Sequence, residues 1–308
     1  MSTRFPIISV TGSSGAGTST VKHTFDQIFR REGVRAASIE GDAFHRYDRI
    51  GMSTEMRRRE ERGDVRFSHF GPDANLLAEL EDVFRSYAER GAGRTRRYVH
   101  DEREAAELGT PPGTFTDWFD LDCVEPSDSG TAPGGGSDLL FYEGLHGAFA
   151  GASAERTVDV AKWADLKVGV VPVINLEWIQ KIHRDRSTRG YSTEAVTETI
   201  VRRMPDYANY VCPQFTRTDI NFQRVPTVDT SNPFIARHIP TPDESIVVIR
   251  FRDPRGIDFP YLVSMIHDSY MSRANSLVVP GGKLDIAMQL ILTPLIHRLI
   301  DRKRRAQS

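Results

Sequence analysis

The sequence predicts an α/β fold built on a doubly wound, mostly parallel mixed sheet with flanking helices. Three observations predict it. Short, β-branched apolar runs recur along the chain, helical patterns with one apolar face lie between them, and the first run leads directly into a glycine-rich loop. With 39% hydrophobic residues, a chain of 308 can build the core such a sheet needs. No internal repeat and no interdomain linker stands out, so one domain over 1–308 is expected.

Phe5 to Thr11 reads as a buried strand, Gly12 to Thr20 as a small-residue loop, and Val21 to Arg31 as a helix with apolar residues at 21, 25, 28 and 29. Ala36 to Gly41 is a second strand, which puts Asp42 at or just past a strand end, where open α/β sheets place ligands. The charged stretch 54–62 is predicted helical with a solvated face. Gly71-Pro72-Asp73 opens a helix whose apolar positions are 76, 77, 80, 83, 84 and 87, with Gly91 as its stop. Residues 91–138 read as loop, and the Ser-, Pro-, Asp- and Gly-rich part, about 124–138, as a flexible surface insertion. Strands follow at 139–142 and 166–171, then helices from Glu177 to Arg189 and Thr193 to Met204. Phe222 to Val228, Ile246 to Phe251 and Leu277 to Val279 are strand-like, and Leu284 to Arg302 is an amphipathic helix.

A net charge of −2 and a pI near 6.5 give no argument for nucleic-acid or membrane binding. Cys123 and Cys212 lie far apart and suit a reduced compartment. No run of eighteen apolar residues and no signal-like N-terminus is seen, so a soluble cytoplasmic protein is expected.

The loop carries the chemistry. Gly12, Ser13, Ser14, Gly15, Ala16 and Gly17 keep the glycine spacing of G-x-x-x-x-G-K-[ST], with Ser19 at the Mg²⁺-binding hydroxyl and Thr20 behind it. Backbone N–H groups at a helix start can then face a nucleotide phosphate without side chains in the way. Thr18 stands where lysine is expected, so a cation must arrive from elsewhere in the chain. Lys181 and Arg184, on one helical face with Asp185, can supply it, and Arg189 lies just beyond. As a plain charged helix end this cluster would need no function, and the lysine-less loop is what argues for one. Glu143 ends the strand Leu-Leu-Phe-Tyr-Glu-Gly, a suitable place for an acidic metal-site residue. Asp42, with an ordinary carboxyl pKa near 3.9, is ionised at neutral pH and suits a base that takes a hydroxyl proton. His45, Arg46, Arg49, Arg97, Tyr98 and His100 are donors suited to a phosphorylated, hydroxyl-rich substrate.

These residues resemble the bacterial (class I) phosphoribulokinases, kinases of the phosphate-loop type, and the resemblance covers essentially the whole chain. Its segments are Gly12 to Thr20, Glu40 to Arg46, Phe141 to Gly147, Asn175 to Gly190, Phe222 to Arg237 and Val248 to Tyr261. Threonine at 18 is normal for that family. The resemblance implies ATP-dependent phosphorylation of the C1 hydroxyl of D-ribulose 5-phosphate, with Asp42 as base and Glu143 in the Mg²⁺ site. It also implies that Lys181, Arg184 and Arg189 handle nucleotide and sugar phosphates, beside Asp185 as a further active-site acid. His45, Arg49, Tyr98 and His100 match sugar-phosphate contacts. Arg31, Arg250 and Arg273 match effector-responsive arginines of homo-octamers activated by NADH and restrained by AMP.

Two departures stand out. Ser53 replaces a lysine of close relatives, leaving that substrate-phosphate contact absent or taken by Arg57 or Arg58, and the insertion is longer than expected. No thiol switch is expected, because neither cysteine is near the glycine loop. The rival readings are a uridine-kinase-like enzyme, which would not need Arg49 and the 98–100 set, and a catalytically silent nucleotide sensor, which would not need Asp42.

Overall fold

The computed structural model describes residues 5–13, 17–121, 136–190 and 192–307, with the side chains of Ser19, Thr188, Arg189 and Gln307 outside that description. The elements are β1 (Ile7–Thr11), α1 (Thr18–Glu32), β2 (Ala36–Glu40), α2 (Arg49–Glu60), α3 (Leu77–Arg90), α4 (Glu102–Leu108), β3 (Leu139–Gly144) and β4 (Leu166–Val171), followed by α5 (Ile174–Arg189), α6 (Thr193–Asp206), β5 (Ile220–Pro226), β6 (Ser245–Phe251), α7 (Phe259–Met265), β7 (Tyr270–Arg273), β8 (Ser276–Pro280) and α8 (Leu284–Gln307).

One eight-stranded sheet runs in the order β7-β8-β6-β5-β4-β1-β3-β2. Its pairings from β2 through β5 are parallel, and β6, β8 and β7 add antiparallel strands at one edge. The side-chain alternation of the central strands splits them between two cores. Ile8 and Val10 of β1 and Phe141 of β3 pack with Phe25 and Ile28 of α1 and Met288, Leu292 and Ile296 of α8. Ile7, Leu140 and Tyr142 point the other way, onto Leu80, Phe84 and Tyr87 of α3. Helices on both faces are why these strands read as continuous apolar runs.

Several boundaries differ from the sequence reading, each for a local reason. Helix α1 opens at Thr18 rather than Val21, because Gly17 takes a left-handed φ of 96° and turns the loop directly into the helix. Pro72 opens only a single 3₁₀ turn over Pro72–Ala74. Asn75 is then extended, because its side-chain amide donates to the carbonyls of His69 and Gly71, and α3 starts at Leu77. The stretch 91–138 is not all loop. It holds a short antiparallel pair, Arg94–Thr95 with Phe119–Asp120, and the seven-residue α4, capped by Asp101. Helix α4 buries no residue, so it leaves no periodic signal in the sequence. Helices α2 and α5 begin earlier than read, at Arg49 and Ile174, and α7 and the exposed edge strand β7 were not foreseen. Most of the predicted insertion lies outside the described residues. Its end is anchored: Ser137 meets Tyr87, and the Ser137 and Asp138 carbonyls accept from Lys303.

Candidate active site

The parallel strands β4, β1, β3 and β2 end side by side, and the predicted site residues gather beyond those ends. Two glycines let adjoining strand ends touch. A Cβ on Gly41 would lie 2.6 Å from the Tyr142 hydroxyl and 2.8 Å from Gly144 Cα, so neither position tolerates a side chain without displacement. That close approach sets Asp42, two residues past β2, beside Glu143 near the end of β3. The Gly12 N–H donates to the Gly144 carbonyl at 3.1 Å, tying the start of the glycine loop to the same corner. Ser14, Gly15 and Ala16 of the loop lie outside the described residues, as does the side chain of Ser19. Thr18, at the position where lysine was expected, is buried beside Glu143. Thr20, in the first turn of α1, has an exposed side chain.

Asp42 sits on the 3₁₀ turn Gly41–Phe44 with 49% of its side-chain surface accessible. His45 Nε2 lies 3.2 Å from one carboxylate oxygen and His100 Nε2 3.8 Å from the other. Burial pushes the Asp42 carboxyl up, but His45, His100 and His69 outweigh it and hold it at about 2. His45 is fixed from behind as well. The Asn75 Nδ2 group donates to two carbonyls, so its Oδ1 is the atom that accepts from His45 Nδ1, at 2.9 Å. With a proton on Nδ1 and a carboxylate on Nε2, the imidazolium is the form that satisfies both sides. Burial lowers the His45 pKa, but the Asp42 and Asn75 bonds raise it more. His69, stacked obliquely on His45 at 5.9 Å between ring centres, is held well below the ordinary range by burial and by the charges of Arg203 and His45.

Glu143 has its carboxyl pKa raised, first by burial and then by the neighbouring Asp42 and Glu40 charges, with the Thr18 hydroxyl opposing. A corner of mutually repelling carboxylates is electrostatically suited to a hard divalent cation. Among the described residues no group of three His, Cys, Asp or Glu forms a metal cage. Mg²⁺ held by one or two carboxylates and by substrate phosphates needs none, so the donor set fits.

On α5, Lys181 and Asp185 form a buried ion pair, and Arg184 Nε reaches the other Asp185 oxygen at 3.2 Å. The predicted common face therefore exists as a network in which Asp185 holds both cations. Burial and the Arg203 charge lower the Lys181 pKa to about 8, against the Asp185 bond. Arg189 closes the helix, its side chain outside the described residues.

The remaining predicted contacts fall nearby. The Arg49 guanidinium donates to the His100 carbonyl at 3.0 Å, and the Tyr98 and His100 rings meet edge-on at 5.0 Å. Arg46 points away, bonded to the Asp73 and Asn75 carbonyls and to Glu155. Arg58 is held bidentately by Glu55. Arg250 on β6 and Arg273 on β7 both stand opposite Ser276 of β8, a pair of exposed arginines on the two strands that flank β8. Arg31 lies apart from them in sequence, donating to Gln289 and Thr293 of α8. Sequence reasoning missed Arg203, His69 and Glu177. Arg203 lies in a stretch read only as a helix, and His69 in 63–70, which carried no reading. Glu177 was read as the start of a helix.

The glycine loop at the sheet's carboxyl ends, the cations of α5 and the half-exposed Asp42 are the parts that a phosphate-loop kinase needs. A family model, Phosphoribulokinase / Uridine kinase family, matches residues 7–231, and the chain belongs to that family. It is 68% identical over 303 residues to the phosphoribulokinase of Nitrobacter vulgaris, covering 98% of this chain and 99% of the relative. It is 69% identical over 300 residues to phosphoribulokinase 1 of Cereibacter sphaeroides, covering 97% and 98%. The solved phosphoribulokinase from Rhodobacter spheroides superposes with a TM-score of 0.86 at 65% identity, covering 98% of this chain and all of that one. The chain is a kinase of the phosphoribulokinase type.

Proposed function

We propose that the protein transfers the γ-phosphoryl group of ATP to the C1 hydroxyl of D-ribulose 5-phosphate, giving ribulose 1,5-bisphosphate and ADP for carbon fixation. The observation that carries this reading is Asp42, an ionised and half-open carboxylate between His45 and His100, beside the phosphate loop. Binding alone would not require it. Relatives named phosphoribulokinase, alike over nearly the whole chain, support the choice of acceptor.

In this mechanism Gly12 to Thr20 cradles the nucleotide phosphates and Asp42 accepts the C1 hydroxyl proton. A carboxylate held near 2 is a weak base, so the proton moves late, once the forming P–O bond has made the hydroxyl acidic; a loose phosphoryl transition state permits this. His45 keeps Asp42 oriented, and Arg49, Tyr98 and His100 bind the sugar phosphate. Lys181, Arg184 and Arg189 stabilise charge on the transferring group, with Asp185 holding the first two in place. Ser19 and Glu143 would hold Mg²⁺, which supplies neutralisation of the β- and γ-phosphate charge when bound.

Activation by NADH and restraint by AMP through Arg31, Arg250 and Arg273, a homo-octameric assembly, a cytoplasmic location and one kinase domain over 1–308 complete the proposal. Among the described residues no helix is long and apolar enough to cross a membrane. The test is coupled ADP release with Mg²⁺-ATP and ribulose 5-phosphate, ribose 5-phosphate or uridine, each with and without NADH. Turnover on ribulose 5-phosphate alone, raised by NADH, is the expected result. Turnover on uridine would overturn the choice of acceptor.

A further inference from the structure

Glu177 belongs to neither the cradle nor the cation cluster, yet it joins them. Its carboxylate, in the first turn of α5, accepts a hydrogen bond of 2.6 Å from the hydroxyl of Ser13, 164 residues earlier in the loop that follows β1. Ser13 is buried, with 1% of its surface exposed, and Glu177 is half-buried, so the contact is partly withdrawn from water. One, two and just over two turns further along the same helix face stand Lys181, Arg184 and Asp185. Glu177 also feels the charges of Arg203, Lys181 and Arg184, so it lies within reach of the cation cluster.

We propose that the Ser13–Glu177 hydrogen bond is a positioning clamp that fixes the distance between the phosphate loop and the cation-bearing helix α5. The inference rests on the kinase reading above. A loop without its own lysine depends on cations from another element, so their spacing has to be set by a contact between the two. Ser13–Glu177 is such a contact. Glu177 acts through Ser13 and through the seating of α5, and touches no reacting atom.

The test is a double-mutant cycle read by calorimetric binding of Mg²⁺-ATP, without any sugar phosphate. Ser13→Ala, Glu177→Ala and the double variant should each weaken ATP binding about tenfold, because one charge-assisted contact is lost in all three; that factor corresponds to about 1.4 kcal/mol. Glu177→Gln, whose amide oxygen still accepts from Ser13, should bind ATP more tightly than Glu177→Ala. The KM for the sugar phosphate should stay unchanged across the set. A double variant weakened about a hundredfold, the product of independent effects, would overturn the clamp. So would an unaltered ATP affinity in Glu177→Ala, or an equal rise in KM for both substrates. ATP binding is measured without an acceptor, so a wrong acceptor assignment fails in the substrate panel and not here.

Discussion

His45 shows how two neighbours can set a protonation state. Asn75 Oδ1 accepts from the Nδ1–H and Asp42 favours a proton on Nε2, while burial works against the charge. With its pKa raised, His45 contributes stability that is complete below the unfolded value near 6.5 and is lost as pH rises through the folded value. For Asp42 the sign is reversed: its contribution is present above the ordinary carboxyl value and lost as pH falls through about 2. Replacing Asp42 with Asn removes the larger upward influence and leaves burial in place. The imidazole proton titration of His45, followed by NMR, is therefore expected to move downward in Asp42→Asn, and an unmoved titration would contradict the pairing. Asp42 was legible because a strand pattern ended just before it. Asn75 was not, because its role depends on a bridge to His45, thirty residues earlier, that no local periodicity encodes.

Helix α5 carries the cations, and its chemistry depends on pH through Lys181. That ammonium, lowered to about 8 by burial and by Arg203, loses its charge as pH rises through that value. The kcat/KM for ATP is therefore expected to decline above about pH 8, since this ratio reports the free enzyme. Lys181→Arg, which keeps its charge at every accessible pH, should shift that decline upward even if the maximum rate falls. A decline at the same pH in both proteins would assign it to another group. The charged face of α5 could be read from its spacing because helical periodicity is local. Its start could not: Ile174 and Asn175 precede the charged run, so the reading began three residues late and gave Glu177 no partner. Arg203 escaped for a related reason, since it reaches the site from α6.

At the scale of the molecule, the sheet's parallel half was readable and its antiparallel edge was only partly so. Strand β1 is buried along its whole length, as a strand covered on both faces must be, whereas β6 alternates buried and less buried positions in the manner of an antiparallel strand. Strand order was beyond reach, because insertion of β3 between β1 and β2 brings together residues a hundred positions apart in sequence. That insertion makes the site: it sets Glu143 between the glycine loop and Asp42. If this corner performs phosphoryl transfer with Asp42 as the base, the turnover of Asp42→Asn on ribulose 5-phosphate, measured alongside its ATP affinity, tests it directly. The expected result is a loss in kcat of roughly 10²- to 10⁴-fold with ATP binding kept within about twofold. Turnover close to that of the unaltered protein would contradict it and assign the proton to another group.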